Sequence, residues 1–239
     1  MKNILRLSLG ELKRLVKYGI LPVSLVTAVI WVIIFLTVSE EEALSLAPLF
    51  IFADATVMLI IFIGSSHHLE KQEGTVKSML MMPVSIGEVL VSKIIAAMVL
   101  TIESAVITAL ALFFIHGAVV NYALLLLYVI IASCANAAIG FLLSLISYDF
   151  TSMLGLMMSY MLIFTIPTVL FLFEVIGEKY EAVLYFSPSH SVSVLISSVF
   201  AESTDITKVI ISAVYLIIIS AVILRLMVYP AFKRRAVRS

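Results

Sequence analysis

Two carboxylates stand where this sequence otherwise offers little but hydrocarbon. Asp54 lies in LFIFADATVMLIIFIG and Glu103 in AAMVLTIESAVITALALFF. An ionisable group in an apolar span is costly, so by default it faces a bundle interior or a water-filled path. Two such groups at like depth could share a proton or bind a cation. A second concentration of chemistry is the charged stretch Glu70 to Lys93, EKQEGTVKSMLMMPVSIGEVLVSK, set between two apolar runs. Other polar candidates carry less. Asn136 sits among Cys134, Ala135, Ala137, Ala138 and Gly140. That small-residue face reads first as helix packing and second as part of a substrate path. His67 and His68 point about 100° apart on a helix and do not make a metal pair, while His116 and His190 read as isolated and outer-facing. The run Glu40-Glu41-Glu42 lacks a helical His at metal-ligand spacing, and no nucleophile–His pairing is evident. No catalytic or metal site is expected.

The elements that position these groups are membrane spans. The chain has 239 residues, 63% of them hydrophobic and 13% charged, with mean hydropathy +1.21. A soluble domain carries roughly 25% charged residues and cannot hide so much apolar surface. One cysteine, Cys134, allows no internal disulfide. The expected fold is an all-α integral membrane protein, a single domain over 1–239 with six transmembrane helices. The spans are Ile20 to Val38, Leu46 to Ser66, Ile94 to Ile115 on a helix starting near Ile86, Tyr122 to Ile146, Met153 to Phe173 and Thr207 to Tyr229. Each can cross a hydrocarbon core of roughly 30 Å. Counting a rise of ~1.5 Å per residue, Glu103 stands about 15 Å from Lys93 and Asp54 about 18 Å from Ser66 along their helices. Pro167 should kink the fifth span.

Residues 1–19 form a basic amphipathic helix expected to lie on the inner membrane surface, with Ile4, Leu5, Leu9, Leu12, Leu15 and Val16 at helical spacing. No convincing cleavage site follows it. Of the fifteen Lys and Arg, five stand in this helix, three in the 70–93 stretch and five from Arg225 onward, leaving Lys179 and Lys208 for the other side. The positive-inside rule then makes both termini and the 70–93 stretch cytoplasmic. The connection 174–206 contains VLYFSPSHSVSVLISSVF, too apolar for water and broken by Pro188. It reads as short helices partly re-entrant in the outer leaflet and packed on the bundle, where irregular backbone is tolerated.

Within the charged stretch, Ser85-Ile86-Gly87-Glu88 fits a capping box that starts the third-span helix. Pro83 stops any earlier helix, and Gly74 suits a boundary. A short helix from Thr75 to Met82 is expected. Met79, Leu80, Met81 and Met82 offer a soft apolar surface that suits a partner's groove, edged by Glu70, Lys71, Glu73 and Lys77. This stretch resembles the cytoplasmic segment of the type-two family of ATP-binding cassette exporter permeases. Glu73, Gly74, Thr75, Leu80, Pro83, Val84, Ser85 and Lys93 stand at that family's positions, and Ser187-Pro188 matches its outer segment. Met81-Met82 departs from the polar residue often found before the Pro.

The resemblance implies a coupling helix: Glu70, Glu73, Gly74, Thr75, Met79, Leu80, Met82 and Pro83 would seat in a separate cytoplasmic ATPase subunit. The loop Ser147 to Ser152 would be a second, smaller contact. It implies export across the plasma membrane by alternating access, with a second permease subunit, identical or related. The chain has no Gly-x-x-x-x-Gly-Lys-Ser/Thr loop. It is therefore expected to bind no cofactor and not to be an enzyme; ATP and Mg belong on the partner ATPase. The expected partners are that ATPase, the second permease and the lipid bilayer, with no nucleic acid. The competing reading is a proton- or ion-coupled secondary transporter using Asp54 and Glu103.

Overall fold

The computed structural model describes residues 2–73, 84–201 and 203–238. Among these, every regular element is a helix. We number them α1 (Lys2–Lys17), α2 (Ile20–Phe35), α3 (Glu40–Ala53, a π-helical turn Asp54–Met58, then Leu59–Gln72), α4 (Ile86–His116) and α5 (Tyr122–Ile146). Then come α6 (Phe150–Tyr160, a π turn Met161–Thr165, then Ile166–Leu172), α7 (Glu181–Leu184), α8 (Pro188–Ser197) and α9 (Ile206–Val222, a π turn Ile223–Val228, then Tyr229–Arg238). Five helices, α3, α4, α5, α6 and α9, are long and apolar enough to cross a membrane, and the α1–α2 pair, bent by 70°, makes a possible sixth. The chain is a multi-pass membrane protein.

Local chemistry sets the ends. The Ser85 hydroxyl accepts from the Glu88 N–H at 3.2 Å, and the Glu88 carboxylate accepts from the Ser85 N–H at 2.8 Å. The expected capping box therefore starts α4. Gly117, at φ 71°, ends it in the left-handed conformation glycine tolerates. A second capping box, Ser39 with Glu42, starts α3 earlier than expected. Glu40, Glu41 and Glu42 are thus its first turn, where carboxylates favour the helix dipole, and not a loop. The first span is also shorter than expected. α2 has 16 residues and stops at Phe35, so at ~1.5 Å per residue it is about 24 Å long. In α6 the π turn falls just before Pro167, whose ring removes a donor and crowds the preceding turn.

α5 is the hub, packed against α3, α4, α8 and α9. Its contact with α3 depends on small residues, as lipid-embedded helices generally do. A Cβ on Gly140 would stand 3.1 Å from the Ile63 Cβ and 3.3 Å from the Ile60 Cα, so backbone would have to move. Farther along, Ala132 and Ala135 of α5, Ala105 and Ala109 of α4, and Ile51, Phe52 and Ala55 of α3 share one core with Leu195 and Leu216. α7 and α8 are short helices, as expected for 174–206, and α8 packs on α3, α5 and α9. His190, expected on the outer side of the membrane, is 1% exposed, because the first turn of α8 is folded into the bundle. His116 is tied back as well, its Nε2 3.0 Å from the Phe35 carbonyl oxygen.

Gly140→Val should overpack the α3–α5 contact and cost about 1–3 kcal/mol. In contrast, Gly155→Val, with nothing within 4 Å of its Cβ position, should cost little. Thermal unfolding followed by size-exclusion chromatography in detergent checks the difference.

Candidate coupling end and buried carboxylates

One end of the bundle gathers a charge cluster from three helices. Lys93, seven residues into α4, is 5% exposed, Glu70 of α3 is 1% exposed and Glu11 of α1 is 5% exposed. The Lys93 ammonium donates to the Glu70 carboxylate and, at 3.1 Å, to Glu11 Oε1. Arg14, one turn beyond Glu11, donates to Glu70 Oε1 at 2.9 Å and approaches Glu11 at 3.4 Å. Two carboxylates thus meet two cations. A charge out of water costs several kcal/mol unless such partners satisfy it. The cluster also fixes the roll of α1. Ser8, Glu11 and Leu15 are turned inward, packed on α4, while Leu5, Leu9 and Val16 stay exposed. The amphipathic helix therefore puts a partly polar stripe on protein and leaves its apolar side for lipid.

The cluster holds the neighbourhood of the charged stretch from both sides. Just after Glu70, the Glu73 carboxylate accepts from the Tyr18 hydroxyl at 2.6 Å. That bond and its carboxylate's charge help push the Tyr18 pKa up to about 12. Tyr18 stands beside Gly19, whose φ of 75° permits the turn between α1 and α2. On the far side of the stretch, Ser85 and Glu88 cap α4 and Lys93 enters the cluster. Gly74, Thr75, Met79, Leu80, Met82 and Pro83, like the helix expected over 75–82, lie outside the described residues. Of the expected coupling residues, Glu70 faces inward and Glu73 stays exposed. The segment 147–152, expected as a loop, sits at this same end, though only residues 147–149 connect α5 to α6, which already begins at Phe150. His68 Nε2 lies 2.7 Å from the Ser147 hydroxyl, and Asp149 caps α6 by accepting from the Ser152 N–H at 2.7 Å.

The two intramembrane carboxylates share a corner. Asp54 is 6% exposed; its Oδ2 accepts from the Trp31 indole N–H at 3.0 Å and from the Ser104 hydroxyl. Glu103 Oε2 accepts a long 3.5 Å bond from Ser24, and its Oε1 is buried with no hydrogen-bond partner. Both groups therefore lean on α2, which Trp31 anchors by stacking on Phe50 at 4.1 Å. A cavity of about 10 Å³ lies beside Asp54, lined also by Ser24, Thr27 and Thr101. It has room for about one water. Asp54 begins the π turn of α3, a distortion that often accompanies function. Asn136 sits behind that turn: its amide donates to the Ala55 carbonyl at 2.9 Å and approaches Thr56 Oγ1 at 3.4 Å. It ties α5 to the backbone of α3 and is fully buried.

Sequence reasoning missed Glu11 and Arg14 as partners of Glu70 and Lys93. The available signal was Glu11, a lone acid in an otherwise basic helix, and Lys93, a lone cation among apolar residues of α4.

Lys93→Met should leave Glu70 and Glu11 with Arg14 as the remaining cation of the four, at a cost of about 3–5 kcal/mol. The charge swap Glu70→Lys with Lys93→Glu should recover part of it. Thermal unfolding of the three proteins in one detergent checks both.

Compared with known families, residues 40–229 match the family described as ABC-2 family transporter protein. A search of curated proteins gives no match.

Proposed function

The chain belongs to the ABC-2 family of transporter proteins, and from that premise we propose that it is the membrane subunit of an ATP-driven exporter. Membership makes it an ABC transporter permease. A separate ATPase subunit, carrying ATP and Mg, seats against residues 73–83. A second permease, identical or related, completes the pathway. Both termini and the 70–93 stretch face the cytoplasm, with the protein in the plasma membrane, as the excess of Lys and Arg there favours.

The observation that carries the coupling role is the anchoring of the stretch at its ends. Glu70 and Lys93 meet within one buried cluster, and Glu73 is bonded to Tyr18. A push on residues 74–83 would therefore reach α3, α4 and α1 together. In this arrangement Glu70 positions the segment from inside, while Glu73, Gly74, Thr75, Met79, Leu80, Met82 and Pro83 are the residues offered to the ATPase. The reaction is mechanical for this chain: it moves substrate and hydrolyses nothing. Asp54 and Glu103 line the substrate path where α2 meets α3 and α4. Asn136 supports the π turn that presents Asp54.

Tagged protein purified in mild detergent should bring down an ATPase subunit in stoichiometric amount. Scrambling residues 73–83 should abolish that association while the permease still elutes as a single, unaggregated peak. An ATPase that stays bound to the scrambled protein would remove the coupling role. For the path, Asp54→Asn with Glu103→Gln should lower export at least tenfold in cells while surface expression holds; unchanged export would remove both carboxylates from it.

A further inference from the structure

A cavity of about 230 Å³ opens at the opposite end of the bundle from the ion cluster, between α6, α8 and the start of α9. Phe171, Val194 and Val209 give it apolar walls, and His190, Ser197 and Lys208 also line it. Its rim is exposed at Leu172, Ala201 and Thr204.

His190 is the unexplained group there. It is 1% exposed, and neither Nδ1 nor Nε2 has a hydrogen-bond partner. The ring is held edge-on by Phe171 at 5.3 Å and by Tyr185 at 5.2 Å. Burial pushes its pKa down to about 4, with Glu181 opposing and Lys208 assisting. It is therefore a neutral imidazole with one donor and one acceptor. Leaving both unused in a buried place is costly.

The charged groups around the cavity, and several of its hydroxyls, are already engaged. The Lys208 ammonium donates to both Glu181 oxygens, at 2.7 and 2.8 Å. Tyr185 donates to Glu181 at 3.4 Å. Asp205 caps α9 by accepting from the Thr207 N–H at 2.9 Å. Ser193 and Ser198 donate to carbonyls of their own helix at 2.8 and 2.7 Å. Among the described residues the charges around the cavity are thus matched or capping, and the imidazole is the buried lining group with both hydrogen-bonding atoms unused. That combination favours an uncharged guest over an ion.

We propose that this cavity binds a neutral amphiphile, its apolar body against Phe171, Val194 and Val209 and a single hydroxyl-class group on the His190 ring. A hydroxyl both donates and accepts, as the imidazole requires. The assignment stands apart from coupling to an ATPase, because binding here needs no nucleotide.

The probe is photoactivatable 3-azioctanol, applied to the full chain in phosphatidylcholine nanodiscs, whose lipids carry no hydroxyl. Adducts are mapped by mass spectrometry. The expected result is labelling at Phe171, Val194 or Val209 that excess 1-octanol suppresses at least tenfold and n-octane does not. His190→Phe, which keeps an aromatic ring and loses the hydrogen bonds, should reduce that labelling at least tenfold, and His190→Gln should retain most of it. Val194→Trp, one turn along α8 from His190, fills the cavity and leaves the imidazole in place; it should also abolish the labelling and decides the matter if His190→Phe does not fold. Labelling spread evenly over lipid-facing helices, equal suppression by octane and octanol, or undiminished labelling in Val194→Trp would overturn the proposal.

Discussion

Lys93 lies in an apolar helix, and its ammonium is tolerable there only because Glu70 and Glu11 meet it. The nearest carboxylates come from different helices, so this one constraint assembles three elements. α1 must roll until Glu11 faces α4, which leaves Leu5, Leu9 and Val16 pointing away from the protein. The chain must then turn sharply to enter α2, and Gly19 supplies the conformation. Tyr18, carried to the same corner, reaches Glu73. An ion group of this kind adds little net stability when compared with a well-packed apolar core, but it is intolerant of losing a member. That intolerance specifies how α1, α3 and α4 sit together, and it does so next to the stretch where a driving subunit would press.

Away from this end the helices are held by close approach and by local repairs of the backbone. Alanines and glycines let α3, α4 and α5 meet. Where α3 widens into a π turn, the Asn136 amide takes up the Ala55 carbonyl. The distorted turn then carries Asp54 toward Trp31 and Ser104. Three helices, α3, α6 and α9, contain π turns. These are places where a helix has weaker internal bonding and can change its local winding at modest cost. In the proposed exporter, which would present its path alternately to two sides, such turns would serve as points of flexure between the ion cluster and the far end.

Much of this could be read from the sequence because bilayers impose simple rules. The α5 limits, Tyr122 and Ile146, follow from the length of an apolar run alone, and the α4 start follows from Ser85 and Glu88. The short helices of 174–206 follow from apolar residues broken at Pro188. What could not be read was facing. Glu70 stands in SSHHLEKQ and His190 in SPSHSVSV, where polar residues fall on every side of the helix and none marks the side of α3 or α8 that is buried. Glu70 was expected at a docking edge and lies inside, and the burial of His190 had no marker in the sequence. The true start of α3 was hidden for a different reason: three glutamates suggest a loop until Ser39 is seen to cap them, after which they suit a helix N-terminus.

The proposed coupling is tested most directly at Met79. A photo-crosslinking benzoylphenylalanine placed there in living cells should join the chain to an ATP-binding subunit, identified by mass spectrometry. The same group at Leu226, an exposed position on α9, should not. A crosslink to the ATPase at Met79 alone is the result the account predicts. A properly inserted protein that yields no ATPase adduct from Met79 would contradict it.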